Sequence, residues 1–273
     1  MTKKVNLSNN LYLVIFGSDE NSFMVTSTLI VSENKALLVG AKFTRNDAKE
    51  IVDYLENNQL ILEKVFVIHG DPDYYFGLDT IKKSFPHALA IATQPTIHHI
   101  LESVEDKLAF WKETLNDQAP DNIIIPQVIS DDYIEFGGVN WELIGSEPSR
   151  INLWDETSKT LIGGIDTFNE IHLFLADINT IEGQKLWVSR IDKLLDLDPI
   201  VIVPSHADLS KSFDKSALVY TKDYLIKAID TLEKTIKSDD FKNVLASAYP
   251  NARNTGVLEL SSKVVTKEIP WGE

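Results

Sequence analysis

His69, Asp71 and Asp73 place one imidazole and two carboxylates within five residues. That set can ligate a divalent cation, or move a proton to and from a bound water. It follows an apolar run, residues 65–68 (Val-Phe-Val-Ile), which reads as a buried strand because β-branched and aromatic residues leave it no polar face. Gly70 and Pro72 then stop the strand, and two carboxylates in such a loop need water, donors or a cation. The strand fixes the backbone and the loop supplies chemistry, as at the carboxyl ends of strands in open αβ sheets. A second apolar strand, residues 200–203, ends in Pro204-Ser205-His206-Ala207-Asp208. Both halves of the chain thus finish a buried strand with a histidine and a nearby aspartate.

The elements that must position these groups follow from periodicity. Residues 11–16, 22–31 and 35–39 are rich in Val, Ile, Leu and Phe and are separated by polar turns, predicting an antiparallel meander. Thr44 offers an N-cap, and Ala48, Ile51, Val52 and Leu55 recur at helical spacing, predicting a helix to about Asn57. After the 65–68 strand come a short helix over 77–85, a strand over 88–93, and a longer helix opened by Pro95 and reaching 115. From residue 123 the pattern changes to short strands: 123–128, 133–136, 139–144, 151–154, 160–162 and 171–175. Gly137-Gly138 marks a tight hairpin. Helices over 182–195, 215–237, 239–248 and 255–266 complete the chain.

Composition narrows the function classes. The 273 residues are 44% hydrophobic, enough for a sizeable core, and could form one large domain or two small ones. Lys and Arg number 26 against 41 Asp and Glu, a formal net charge of −15, which disfavours phosphate backbones and anionic membrane surfaces. The apolar stretch 11–16 is too short for a signal peptide, and nothing approaches a membrane span. With no cysteine there are no disulfides or thiolate metal sites, and the cytoplasm is the simplest location. No Gly-x-Ser-x-Gly elbow and no phosphate-binding glycine loop occurs.

Meander, helix, buried strand, and then His69-x-Asp71-x-Asp73-Tyr74 resembles the metallo-β-lactamase fold superfamily, whose hallmark is His-x-His-x-Asp-His. The resemblance covers nearly the whole chain and implies a single domain, residues 1–273, built as a four-layer αββα sandwich, with C-terminal helices from about 213 packed on it. It also implies a one- or two-metal site on the sandwich edge. Residue by residue, His69, Asp73 and His206 fall on family ligands. Asp71 and Tyr74 replace two histidines, Ser146 of Ile144-Gly145-Ser146 stands where a third is expected, and Ile165 holds the bridging position, with Asp166 one place late. Three of seven ligands therefore remain unchanged.

A hydrolytic zinc site needs three or more protein ligands and an open position, so the count argues against a two-metal centre. His69, Asp71, Asp73 and His206 remain as a set for no ion or one divalent ion, with zinc, iron and manganese equally suited. Plainer readings stand beside these. Asp73 caps loop amides with His69 bonded to it, Asp71 is solvated, Tyr74 and Tyr75 fill space a metal would occupy, and Asp166 caps a turn. His98-His99 lies inside an amphipathic helix, one facing out and one in, with little claim to ligation; His87 and His172 have less. The expectation is a non-catalytic or weakly active family member, a pseudoenzyme whose pocket is retained for binding a small-molecule ligand or for stability alone, with no nucleic-acid or membrane partner. The alternative is a single-metal hydrolase of an ester, lactone or amide with Asp71 or Asp73 as base. A nucleic-acid-processing branch is a weaker third. His69 and His206 are expected to face one shallow cleft.

Overall fold

The computed structural model describes residues 2–8 and 10–271. Alternation along the strands decides its layering. In β2 (Tyr12–Phe16), Leu13 and Ile15 point to one side and Val14 and Phe16 to the other, and all four are buried. The same split recurs in β3 (Ser27–Ser32) and β4 (Lys35–Val39). A strand buried on both faces must lie between two apolar layers. On one side the helices α1 (Arg45–Asn57), α3 (Leu78–Ser84) and α4 (Gln94–Leu115) supply Ile51, Leu55, Ile81 and Ile100. On the other side lies a second sheet.

The first sheet has seven strands in the order β1 (Thr2–Asn6), β2, β3, β4, β5 (Ile61–Phe66), β6 (Leu89–Ala92) and β7 (Gln127–Val128). The second runs β13 (Val201–Val203), β11 (Thr160–Ile162), β10 (Asn152–Asp155), β9 (Val139–Ile144) and β8 (Tyr133–Phe136). Leu153, Ile162 and Val203 point inward against the first sheet. Trp154, Leu161 and Ile202 point outward against α5 (Ile181–Asp196), α6 (Ser216–Leu232), α7 (Ser238–Ala248) and α8 (Thr255–Val265). The result is an αββα sandwich with three apolar seams. No helix among the described residues is long and apolar enough to cross a membrane.

Several expected boundaries shift for physical reasons. The 65–68 strand is β5, which begins at Ile61 and leaves its ladder at Phe66; Val67 still donates to the Ile91 carbonyl. The 22–31 strand begins only at Ser27, because Asp19 caps a short turn over Glu20–Ser22, and Phe23 and Met24 take positive φ of 54° and 55°. Residues 171–175 are not a strand. They are largely buried against the C-terminal helices, and only Ile171 forms an isolated bridge, to Arg253. β1 was hidden by its polar side chains, and a four-residue helix, α2 (Pro72–Tyr75), occupies the expected loop.

Both histidine-bearing loops leave the carboxyl ends of parallel pairs. β4, β5 and β6 are parallel, with Leu38 opposite Val65 and Val65 opposite Ala90. β11 and β13 are parallel, with Ile162 opposite Val203. Beyond β13, β14 (His206–Ala207) pairs with β12 (Phe168–Asn169) and sets Phe168 opposite His206.

Leu153 is fully buried in the seam between the sheets. Leu153→Ala should therefore cost roughly 2–5 kcal/mol in denaturant unfolding, whereas Ile125→Ala, at a 40% exposed position, should lie within about 0.5 kcal/mol of the parent.

Candidate functional site

The two loops meet at one cleft of about 1020 Å³, and His69, Asp71, Asp73 and His206 all line it. Two arrangements are built there, and a third lies beside it.

The first surrounds His206. Its Nδ1 lies 2.9 Å from the Phe23 carbonyl, which can only accept, so Nδ1 carries the proton. Burial lowers the imidazole pKa to about 4, with the Phe23 bond pulling the other way. The ring is therefore neutral and its Nε2 is an acceptor. Tyr74 is 1% exposed and reaches that nitrogen with its hydroxyl at 3.0 Å, so the hydroxyl donates and the lone pair is taken. Asp73 Oδ2 lies 3.5 Å from the same Nε2. Burial, and then the charge of Asp71, raise the Asp73 pKa well above the usual carboxylate range.

The second surrounds Asp71. His69 Nδ1 is 3.2 Å from its Oδ2. Helix α4 crosses above the loop and brings two more groups: His99 Nε2 at 3.7 Å and Lys107 Nζ at 2.7 Å from Oδ1. Lys107 Nζ also lies 3.1 Å from His99 Nε2 and 3.4 Å from the Gly70 carbonyl. Burial alone would raise the Asp71 pKa, but His69 and Lys107 hold it well below the carboxylate range. Burial, then the Lys107 charge, lower His99 to about 4. Gly70 makes this approach possible, since a Cβ there would meet the His99 ring at 2.8 Å. One donor atom each from His69, Asp71 and His99 falls within 4.8 Å of the others.

The third lies at Asp166, which is 2% exposed. Arg150 Nη1 bonds its Oδ1 at 2.8 Å, and Arg190 adds bonds from Nε at 2.5 Å and Nη2 at 3.1 Å. Asp166 and Ser146 line a separate cavity of about 230 Å³ rather than the large cleft. Ile165 lines the large cleft. Tyr75 points into the seam between the first sheet and its helices, and its hydroxyl has no hydrogen-bond partner among the described residues. His172 is buried with Nδ1 2.9 Å from the Tyr224 hydroxyl, and burial lowers its pKa to about 4.

His99, Lys107 and Arg150 carry much of this geometry; sequence reasoning gave His99 little claim to ligation and the other two no role. A signal existed for two of them. His99, Ser103 and Lys107 stand at i, i+4 and i+8, one stripe of a helix, and all three line the cleft. His98 faces solvent with its side chain 68% exposed, against 36% for His99.

No protein-family model matches the chain. A hydroxyacylglutathione hydrolase of Vibrio campbellii is 31% identical over 71 residues, 24% of this chain and 28% of the relative, so only about a quarter of each is compared. Solved structures match far more of it. A metallo-β-lactamase from Pontibacter korlensis superimposes with TM-score 0.56 at 16% identity, over 83% of this chain and 99% of its own. DIM-1 metallo-β-lactamase gives 0.56 at 17%, over 83% and 97%. The enzyme from Hirschia baltica gives 0.53 at 16%, over 82% and 97%. The chain has the metallo-β-lactamase fold.

Asp166→Ala would leave two mostly buried guanidiniums facing each other, so it should cost roughly 3–5 kcal/mol of unfolding free energy; a loss under about 1 kcal/mol would show that the clamp is not structural. A pH effect follows from His172. Its folded pKa of about 4 lies below its ordinary 6.5, so below about pH 6.5 the unfolded chain takes a proton that the folded one refuses. Stability should be flat in this term above 6.5 and fall as pH drops toward 4. In urea titrations across that range, His172→Gln should shrink the slope.

Proposed function

We propose that this protein is a non-catalytic or weakly active relative of the metallo-β-lactamase-fold hydrolases, whose cleft serves to bind a small molecule rather than to hydrolyse one. The observation that carries this reading is the Lys107 ammonium, 2.7 Å from Asp71 Oδ1 and 3.1 Å from His99 Nε2. A divalent ion held by His69, Asp71 and His99 would stand against that fixed positive charge, and the repulsion between them is poorly screened in a part-buried site.

The remaining donors support the same reading. Two-metal hydrolases clamp ions roughly 3.5–4 Å apart with a shared carboxylate. Here Ile165 offers no donor, Asp166 is bound by two arginines, Ser146 lies off the cleft, and Nε2 of His206 accepts from Tyr74. The donor set therefore does not fit a two-metal centre. A cysteine-free chain of net charge −15 suits the cytoplasm and a partner that is neither nucleic acid nor anionic membrane.

The His69–Asp71–His99 group favours one second reading, a single-metal hydrolase of an ester, lactone or amide. Those three residues would hold one zinc, iron or manganese ion, and the ion would supply an activated water. Asp73, with its raised pKa, would then be the group able to exchange a proton.

Elemental analysis of protein made without an affinity tag separates the two. The proposed function expects well under one ion per chain and no chelator-sensitive turnover of generic esters, lactones or β-lactams. Lys107→Met, which removes the internal cation, should then raise cobalt affinity at least tenfold, read from the visible absorption of the bound ion. Stoichiometric metal in the parent, with turnover abolished by chelator and by His69→Ala, would establish the single-metal hydrolase instead.

A further inference from the structure

We infer that the cleft receives an organic cation, a protonated amine on an apolar or aromatic body, with its ammonium against Asp73. The inference names the ligand class for the binding role proposed above and rests on it only in that no resident metal ion occupies the inner end.

Asp73 is the first reason. It is 7% exposed and lines the cleft, and a buried carboxylate demands donors. Its own backbone amide donates to it, and the one side chain paired with it among the described residues is His206, whose Nε2 at 3.5 Å already accepts the Tyr74 hydroxyl. Among the described residues no lysine or arginine forms an ion pair with Asp73. The two cations of the cleft wall are committed elsewhere, Lys107 to Asp71 at 2.7 Å and Arg150 to Asp166 at 2.8 Å. Asp73 lines the cleft with no Lys or Arg partner among the described residues, so an entering ammonium can reach it with up to three donors.

The walls are the second reason. Phe43, Trp111, Phe23, Phe174 and Trp271 form a continuous aromatic surface, with successive ring centroids 5.2, 5.5, 6.2 and 5.5 Å apart, and all five line the cleft. Aromatic faces attract desolvated cations and pack against an apolar body. Phe110 extends the surface to the rim at 64% exposure. Charge is the third reason. The rim adds Asp106 and Asp177, on a chain of net charge −15, so the field at the mouth draws cations in and turns anions away.

Three probes that differ in head-group charge test this: 2-phenylethylamine, 2-phenylethanol and 3-phenylpropanoate. Each is titrated calorimetrically into the full chain in the presence of chelator at neutral pH. The amine should bind at least tenfold more tightly than the alcohol, and the carboxylate most weakly. Asp73→Asn should reduce the amine to the affinity of the alcohol, whose own binding should be unchanged. Trp271→Leu, at a partly exposed position, should weaken amine and alcohol alike. Equal affinity for amine and alcohol, preference for the carboxylate, or no amine binding by the parent protein would overturn the inference. Because chelator is present throughout, a resident metal ion would disprove the proposed function by elemental analysis while leaving these affinities readable, so the two failures are distinguishable.

Discussion

The ammonium of Lys42 is the interaction on which the site depends. Lys42 is 1% exposed, and its Nζ lies 2.7 Å from the carbonyls of Phe16 and Val25 and 3.0 Å from the Ser18 hydroxyl. Burial lowers its pKa to about 7, and its backbone has a φ of 75°, strain that persists only where surroundings over-determine it. These bonds fix residues 17–26 at the end of the first sheet. That segment holds the second half of the chain: the Phe23 carbonyl accepts from His206, Thr26 Oγ1 donates to Pro204, and the amides of Thr26 and Ala207 bond Ser205 and Met24. The tautomer of His206 is thus fixed through a lysine that touches neither loop histidine.

Within that frame, most of the cation-binding atoms at the inner end are already engaged by the chain itself. Nε2 of His206 accepts from Tyr74, Asp71 holds Lys107, and Asp166 holds Arg150 and Arg190. Buried pairs of this kind return little net stability, because desolvation offsets the Coulomb attraction. Their effect is on geometry, since each rigidifies a group that would otherwise adapt to an incoming ion. Asp73 stands apart because the cation nearest in chemistry, Lys107, is taken by its neighbour two residues earlier.

How much of this was legible depended on whether a feature is local in sequence. The Thr44 cap and the residues behind it specify α1, and Val139–Ile144 and Tyr133–Phe136 emerge with their expected bounds. Periodicity and hairpin chemistry act over a few residues, so they survive in any tertiary context. The His69 loop was legible for the same reason, from an apolar run that stops at a histidine. What could not be read was what α4 lays over that loop. His99 and Lys107 lie 30 and more residues downstream, and their approach depends on a glycine at position 70 whose function shows only when the helix is docked. Residues 171–175 misled in the opposite direction. Burial against α6 and α8 demands the same apolar residues as a strand, so composition alone does not separate the two.

The position of Lys107 also explains why two carboxylates on one loop diverge. Asp71 and Asp73 share the same turn and are both buried, which raises the proton affinity of each, and the charge of Asp71 raises that of Asp73 further. His69 and then Lys107 lower the Asp71 pKa. Lys107 reaches only Asp71, with His69 on its other side, so Asp71 is held ionised while its fixed charge pushes Asp73 further up. Pairs driven apart in this way are the usual mark of acid and base roles. Here, however, the imidazole beside Asp73 is neutral, with one nitrogen on a carbonyl and the other on a phenol, so it offers no ready proton relay. Asp73, which holds a proton more readily than an ordinary carboxylate, therefore faces the aromatic cleft beside a neutral imidazole rather than beside a fixed cation.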